Sequence, residues 1–98
     1  MPRIARLLVQ AHHIQELVDS GQVRDLAEVA RRGHITRSRT SQIMNLLYLA
    51  PKIQEAVLFL PKISAGRDPI TERDLRPLCN VLDWRRQSKL WGELKKRV

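Results

Sequence analysis

Apolar positions along this chain recur at three- and four-residue steps and almost nowhere alternate, so helices are expected and strands are not. Ile4, Leu7, Leu8, Ala11, Ile14, Leu17 and Val18 make one stripe, which predicts an amphipathic helix over about 2–20. Pro2 suits its first turn and Gly21 its stop. A second helix is predicted over about 23–32, with Val23, Leu26, Ala27 and Ala30 on one side. Gly33 is expected to take the left-handed conformation that leaves it. A third helix starts after Thr36, a good N-cap, and runs to about residue 49, with Ile35, Thr40, Ile43, Met44 and Leu47 inward. Pro51 opens a fourth helix over 51–60, with Ile53, Ala56, Val57 and Leu60 inward, and residues 61–69 read as a loop.

Downstream, Thr71 with Asp74 three residues on predicts a capped fifth helix, made short or kinked by Pro77. Asp83 caps a sixth. Trp84, Leu90 or Trp91, and Leu94 supply its apolar side, and Lys95-Lys96-Arg97 suits the negative end of its dipole. The expected fold is all-α: a single compact domain over 1–98, of about six helices. It is built on a helix-turn-helix at about 23–49, with a basic helical extension at about 71–97.

Charge narrows the choice of partner. The formal net charge is +8 over 98 residues. Between Val29 and Gln54 there are five cations (Arg31, Arg32, Arg37, Arg39, Lys52) and no acid. Between Trp84 and Val98 there are six (Arg85, Arg86, Lys89, Lys95, Lys96, Arg97) against Glu93 alone. Such an excess points to an anionic partner, nucleic acid before an anionic membrane. The lone Cys79 permits no internal disulfide and no cysteine-based zinc site, and is expected in the core. The charged residues near the N-terminus argue against a secretory signal, and no apolar stretch is long enough to span a bilayer. A cytoplasmic, nucleoid-associated protein is expected.

The third helix carries the chemistry. A recognition helix must lock one side onto its supporting helix and present donors and acceptors to base edges from the other. Thr36, Arg37, Ser38, Ser41, Gln42 and Asn45 fall opposite Ile35, Ile43 and Leu47. Arg37 could fork onto guanine O6 and N7, and Gln42 could pair with adenine N6 and N7. Thr36 and Ser41 suit phosphate oxygens, and Arg31, Arg32 and Arg39 at the margins suit backbone positioning. Every cation before Lys52 is Arg, a planar fork rather than a point charge.

These residues resemble the helix-turn-helix of the ParB/KorB partition-protein family. The likeness runs through Leu26-Ala27-Glu28-Val29-Ala30, Ile35-Thr36-Arg37-Ser38-Arg39-Thr40-Ser41-Gln42-Ile43, Leu46 to Pro51, and Ile53-Gln54-Glu55. It covers about residues 23–60. It implies that the helix beginning at Thr36 enters the major groove and that the Leu-x-Leu-x-Pro stretch opens a further helix. Gly33 stands two residues before Ile35, His34 takes the place where Gly is usual, and Thr40 stands where Val is more frequent. The family's nucleotide-binding domain and its Gly-Glu-Arg-Arg motif are missing, so nucleotide hydrolysis and clamp sliding are not implied.

No enzyme is expected, since no nucleophile stands with an evident base and no Gly-rich phosphate loop or metal spacing appears. His12 and His13 point about 100° apart on a helix, so they read as a solvated pair rather than a metal site. His34 would cap the turn or touch phosphate. Trp84 and Trp91, seven residues apart, share a helix side and are expected to pack in the core or an interface; Tyr48 stays open between core edge and phosphate contact. The expected function is sequence-specific binding of double-stranded DNA by a transcriptional regulator or a partition or recombination accessory protein. It would act without cofactor, metal or small-molecule ligand, and as a homodimer through the first or last helix. The alternative is a basic protein-interaction module in which helix 84–98, or the long first helix, docks an acidic partner around a purely structural trihelical core. RNA binding is disfavoured because aromatics make up 4% of residues, few platforms for base stacking.

Overall fold

The computed structural model describes residues 2–60 and 70–96. The expected loop over 61–69 and Arg97 lie outside them. Six α-helices follow in order: α1 (Arg3–Asp19), α2 (Leu26–Gly33), α3 (Arg37–Met44), α4 (Pro51–Leu58), α5 (Glu72–Cys79) and α6 (Trp84–Lys96). A 3-10 segment, Asn45–Tyr48, continues α3. No strand occurs among the described residues, and the fold is all-α.

Helix ends explain most departures from the expected boundaries. α2 starts at Leu26, not Val23, because Asp25 is extended and its side chain accepts the backbone N–H of Glu28. Glu28 reaches back to accept the N–H of Arg24, so Val23 packs as a buried residue of the preceding turn. α1 ends as expected at Gly21, which is left-handed at φ 79°. The N–H of Gly21 donates to Val18 and that of Gln22 to Leu17, the paired bonds of a Schellman termination. α2 ends by the same pattern, with His34 donating to Arg31 and Ile35 to Ala30. Here the left-handed residue is His34 (φ 56°, ψ 37°), one place beyond the expected Gly33, which stays helical as the last residue of α2.

α3 is also shorter than expected. Pro51 lacks the N–H that the Leu47 carbonyl would need in a continuing α-helix, and it holds Ala50 extended (φ −56°, ψ 145°). The chain tightens into the 3-10 segment over 45–48. Three residues per turn align positions 43, 46 and 49 on one side, so Ile43, Leu46 and Leu49 are all buried while Leu47 is only partly so. Two glutamines satisfy the groups stranded at this junction. Gln54 Nε2 donates to the carbonyls of Leu47 (3.3 Å) and Leu49 (2.8 Å). Gln87 of α6 is fully buried. Its Oε1 accepts the Ala50 N–H (2.8 Å), and its Nε2 donates to the carbonyls of Tyr48 (3.0 Å) and Val81 (2.6 Å).

The core divides in two. The larger cluster gathers Ile4 and Leu8 of α1, Leu46, Leu49, Ile53 and Val57 around the 3-10/α4 junction, Ile70, Leu75 and Leu78 at α5, and Trp91 and Leu94 of α6. The smaller holds Ala11 and Ile14 of α1 against Ile43 and Met44 of α3, with Leu26 and Val29 of α2 packed on it. Leu7 and Leu47 touch both. α1 thus spans the two clusters. α5 carries the expected capping box, with Thr71 and Asp74 satisfying each other's backbone N–H groups, and Pro77 leaves it eight residues long. Of the two tryptophans expected in the core or an interface, Trp91 is buried in the core and Trp84 is 54% exposed. Trp84 is the first residue of α6 and projects beyond the core, and the apolar face of that turn is completed by Gln87 instead.

Candidate nucleic-acid interface

α2 and α3 pack on each other, and α3 packs on α1. Thr36 caps α3 by accepting the Arg39 N–H at 3.0 Å. The inward position at Thr40 is fully buried, and its hydroxyl is satisfied by donation to the Thr36 carbonyl at 3.0 Å. A buried threonine is therefore accommodated without an orphaned hydroxyl.

The opposite side of α3 is open. Thr36, Arg37, Ser38, Ser41 and Gln42 are exposed, and Asn45 is half-buried in the 3-10 segment that follows. Ser38, Gln42 and Asn45 follow the i, i+4, i+7 spacing of one helix face. Arg37 at the first position of α3, with Arg31 near the end of α2, makes no ion pair among the described residues. Both guanidiniums are thus available to an anion.

The two remaining arginines of the expected site are engaged. Arg32 pairs with Glu28 at 2.8 Å, one turn back on α2, yet stays largely exposed. Glu28 also receives Arg24 at 3.5 Å. The Arg24 backbone N–H, more than the flanking guanidiniums, holds the Glu28 carboxyl below the usual carboxylate range. Arg39 was expected at the margin for a backbone contact. It is half-buried, and its Nη1 donates to Glu72 Oε2 at 2.6 Å and to Gln42 Oε1 at 3.2 Å. Arg76 approaches the same Glu72 oxygen at 3.7 Å. The Arg39 hydrogen bond depresses the Glu72 pKa, and the carboxylate in turn raises that of Arg39. The acid-free stretch of sequence thus acquires an acid from α5, 33 residues away.

Sequence reasoning missed Glu72 because no periodicity links it to α3. Its position in the first turn of a capped helix explains its presence there without a second role. His12 and His13 are exposed, and the His12 ring shares a 2.7 Å hydrogen bond with Gln54 Oε1. That bond orients the amide that caps the 3-10 segment. No group of three or more His, Cys, Asp or Glu side chains among the described residues could hold a metal ion. No described helix is long and apolar enough to cross a membrane. The chain matches no protein-family model, no curated protein and no solved structure.

Proposed function

We propose that the chain binds double-stranded DNA, with α3 as the helix that enters the major groove. The observation that carries this is the open face of α3. It presents Thr36, Arg37, Ser38, Ser41 and Gln42 on a helix whose other side is locked onto α1 and α2. The side chains match base edges and phosphates in chemistry, and among the described residues neither Arg37 nor the nearby Arg31 is held in an ion pair. The opening of α4 at Pro51 agrees with the Leu-x-Leu-x-Pro feature of the ParB/KorB-like motif, and membership of that wider group is part of the proposal. The role is that of a regulator or an accessory factor in partition or recombination, acting at the nucleoid.

One helix reads only a few base pairs, so a dimer on two half-sites is the economical form. Of the two candidate elements, the entry to α6 carries exposed apolar residues, Leu82 just before the helix and Trp84 at its first position, whereas α1 exposes only Val9. The same pair favours the second reading. Leu82 and Trp84 next to the exposed Arg85, Arg86 and Lys89 would also suit an acidic protein partner.

Selection of bound duplexes from a random pool at near-physiological salt tests the first reading. Four to six phosphate contacts would give a log–log salt slope of about −4 to −5. Arg37→Ala should cost more on the selected site than on random duplex, by roughly 1–3 kcal/mol of discrimination. A chain that enriches no duplex, or whose binding ignores salt, leaves the protein-partner reading in possession.

A further inference from the structure

We propose that Glu72 of α5 sets the base preference of α3, by bracing Arg39 so that Arg39 holds Gln42 in one orientation. This rests on the DNA-binding reading above and names a positioning residue within it.

Arg39 Nη1 lies between Glu72 Oε2 (2.6 Å) and Gln42 Oε1 (3.2 Å). A guanidinium has donors and no acceptor, so the amide atom facing it must be the oxygen. The amide of Gln42 is therefore fixed in sense: carbonyl toward Arg39, NH2 turned away. The oxygen keeps a second lone pair, and Gln42 is exposed. A ready-made fork, one acceptor beside one donor, thus stands on the open face. That fork is the complement of adenine N6 and N7. Among the described residues, the side chains of Ser38, Ser41 and Asn45 make no hydrogen bond, so Gln42 is the preset member of the row.

The brace is well anchored. The Glu72 side chain is 15% exposed, and Arg76 approaches the same carboxylate oxygen from one turn along α5. Glu72 changes what Arg39 can offer a duplex. In the stretch without acids, an unbraced Arg39 would be one more phosphate ligand, equally useful on every sequence. Held by Glu72, it gives up part of that general attraction and orders a side chain that tells bases apart. Glu72 trades affinity for discrimination.

The test is the random-pool selection run with wild type, Gln42→Ala, Glu72→Gln and the double variant. Wild type should fix an adenine that Gln42→Ala no longer requires. Glu72→Gln should bind random duplex at low salt at least as tightly as wild type, with a salt slope steeper by about 0.9, one added phosphate contact. Its preference for that adenine should fall about fivefold, within the range of coupling seen between contacting residues. On the Gln42→Ala background, Glu72→Gln should change no base preference. A Glu72→Gln protein that keeps the wild-type preference, or that loses affinity equally on all sequences, overturns the proposal.

Arg39→Lys provides a variant that keeps the charge but lacks the planar fork. The Gln42 side-chain NH2 resonances of the free wild type should be displaced from their unstructured positions, and in Arg39→Lys they should return there. Resonances that do not move overturn the brace without any DNA measurement. A wild type that enriches no duplex removes the DNA reading itself. A wild type that enriches duplexes with no position dependent on Gln42 removes only the role given to Glu72.

Discussion

Replacing Gln87 with methionine, which keeps the length and nearly the volume of the side chain, removes three hydrogen bonds at once. The Ala50 N–H has no other partner within the described structure, because Pro51 holds Ala50 out of helical geometry. An unpaired buried donor costs about 1–3 kcal/mol, and each lost neutral hydrogen bond to a carbonyl about 0.5–1.5 kcal/mol. Some relaxation is expected at the Tyr48 and Val81 carbonyls, so we expect a net loss of about 2–4 kcal/mol. That is a large fraction of the ~5–15 kcal/mol typical of a domain, and corresponds to a fall in Tm of roughly 10–25 °C. Urea unfolding followed by far-ultraviolet circular dichroism measures it, and hydrogen exchange locates it. The Ala50 amide should be among the protected ones in the wild type and exchange freely in Gln87→Met. Gln87→Glu offers a second handle. A carboxylate can accept from Ala50 but cannot donate to either carbonyl, so its loss at neutral pH should exceed that of methionine and shrink as acid protonates it. A Gln87→Met protein within about 0.5 kcal/mol of wild type would refute the reasoning, because buried amides with three partners cannot then be what joins α6 to the 3-10/α4 junction.

Further outcomes follow from three other residues. His34→Gly should stabilise the chain by about 0.5–1 kcal/mol, since the left-handed cost of a side chain is ~1–2 kcal/mol and glycine's added unfolded-state freedom returns part of it; thermal melts that show a loss would contradict the assignment of the turn. Glu72→Gln should lower stability at pH 7 by about 0.5–1 kcal/mol, the partly exposed Arg39 limiting the effect. The folded Glu72 pKa is depressed, so the contribution is full above the ordinary carboxylate value of about 4.3 and is lost as pH falls through the lower folded value; the melting curves of the two proteins should converge on acidification and not on alkalinisation. Burial pushes the Cys79 thiol up to about 11, so at pH 8 a thiol reagent should label the native chain at least tenfold more slowly than the urea-unfolded chain; equal rates would place the thiol at the surface.

The helical architecture was legible because apolar residues repeat at helical spacing and because Thr36, Thr71 and Asp83 are strong capping residues. Thr36 and Thr71 accept the expected backbone N–H groups, and Asp83 accepts that of Arg85 at 2.9 Å. What escaped the pattern was chemistry between elements. Gln87 reads as a surface residue of a basic helix, since nothing near it in sequence announces the orphaned N–H of Ala50. Trp84 and Trp91 share a helix side and read alike as core or interface, but helix side says nothing about how far along its axis the core extends, so only Trp91 is buried. The open face of α3 was legible for Thr36, Arg37, Ser38, Ser41 and Gln42. It was not for Arg39, whose partner lies on another helix. At the turn, His34 rather than Gly33 takes the left-handed conformation because the Schellman bonds require it one residue beyond the last helical position.

The division of the core sets a gradient of local opening. α2 has one fully buried residue, Ala30, and rests on the smaller cluster through Leu26 and Val29. The junction around Leu49 and Ile53 is enclosed by α1, α5 and α6. Amides of α2 should therefore exchange through a sub-global opening well below the cost of complete unfolding, while those at the junction report the global transition. The helix that supports α3 would then be able to yield and re-seat without disturbing the base on which the chain is built. On the proposed DNA-binding reading, adjustment to a deformed duplex would be confined to the end of the molecule that carries α2 and α3.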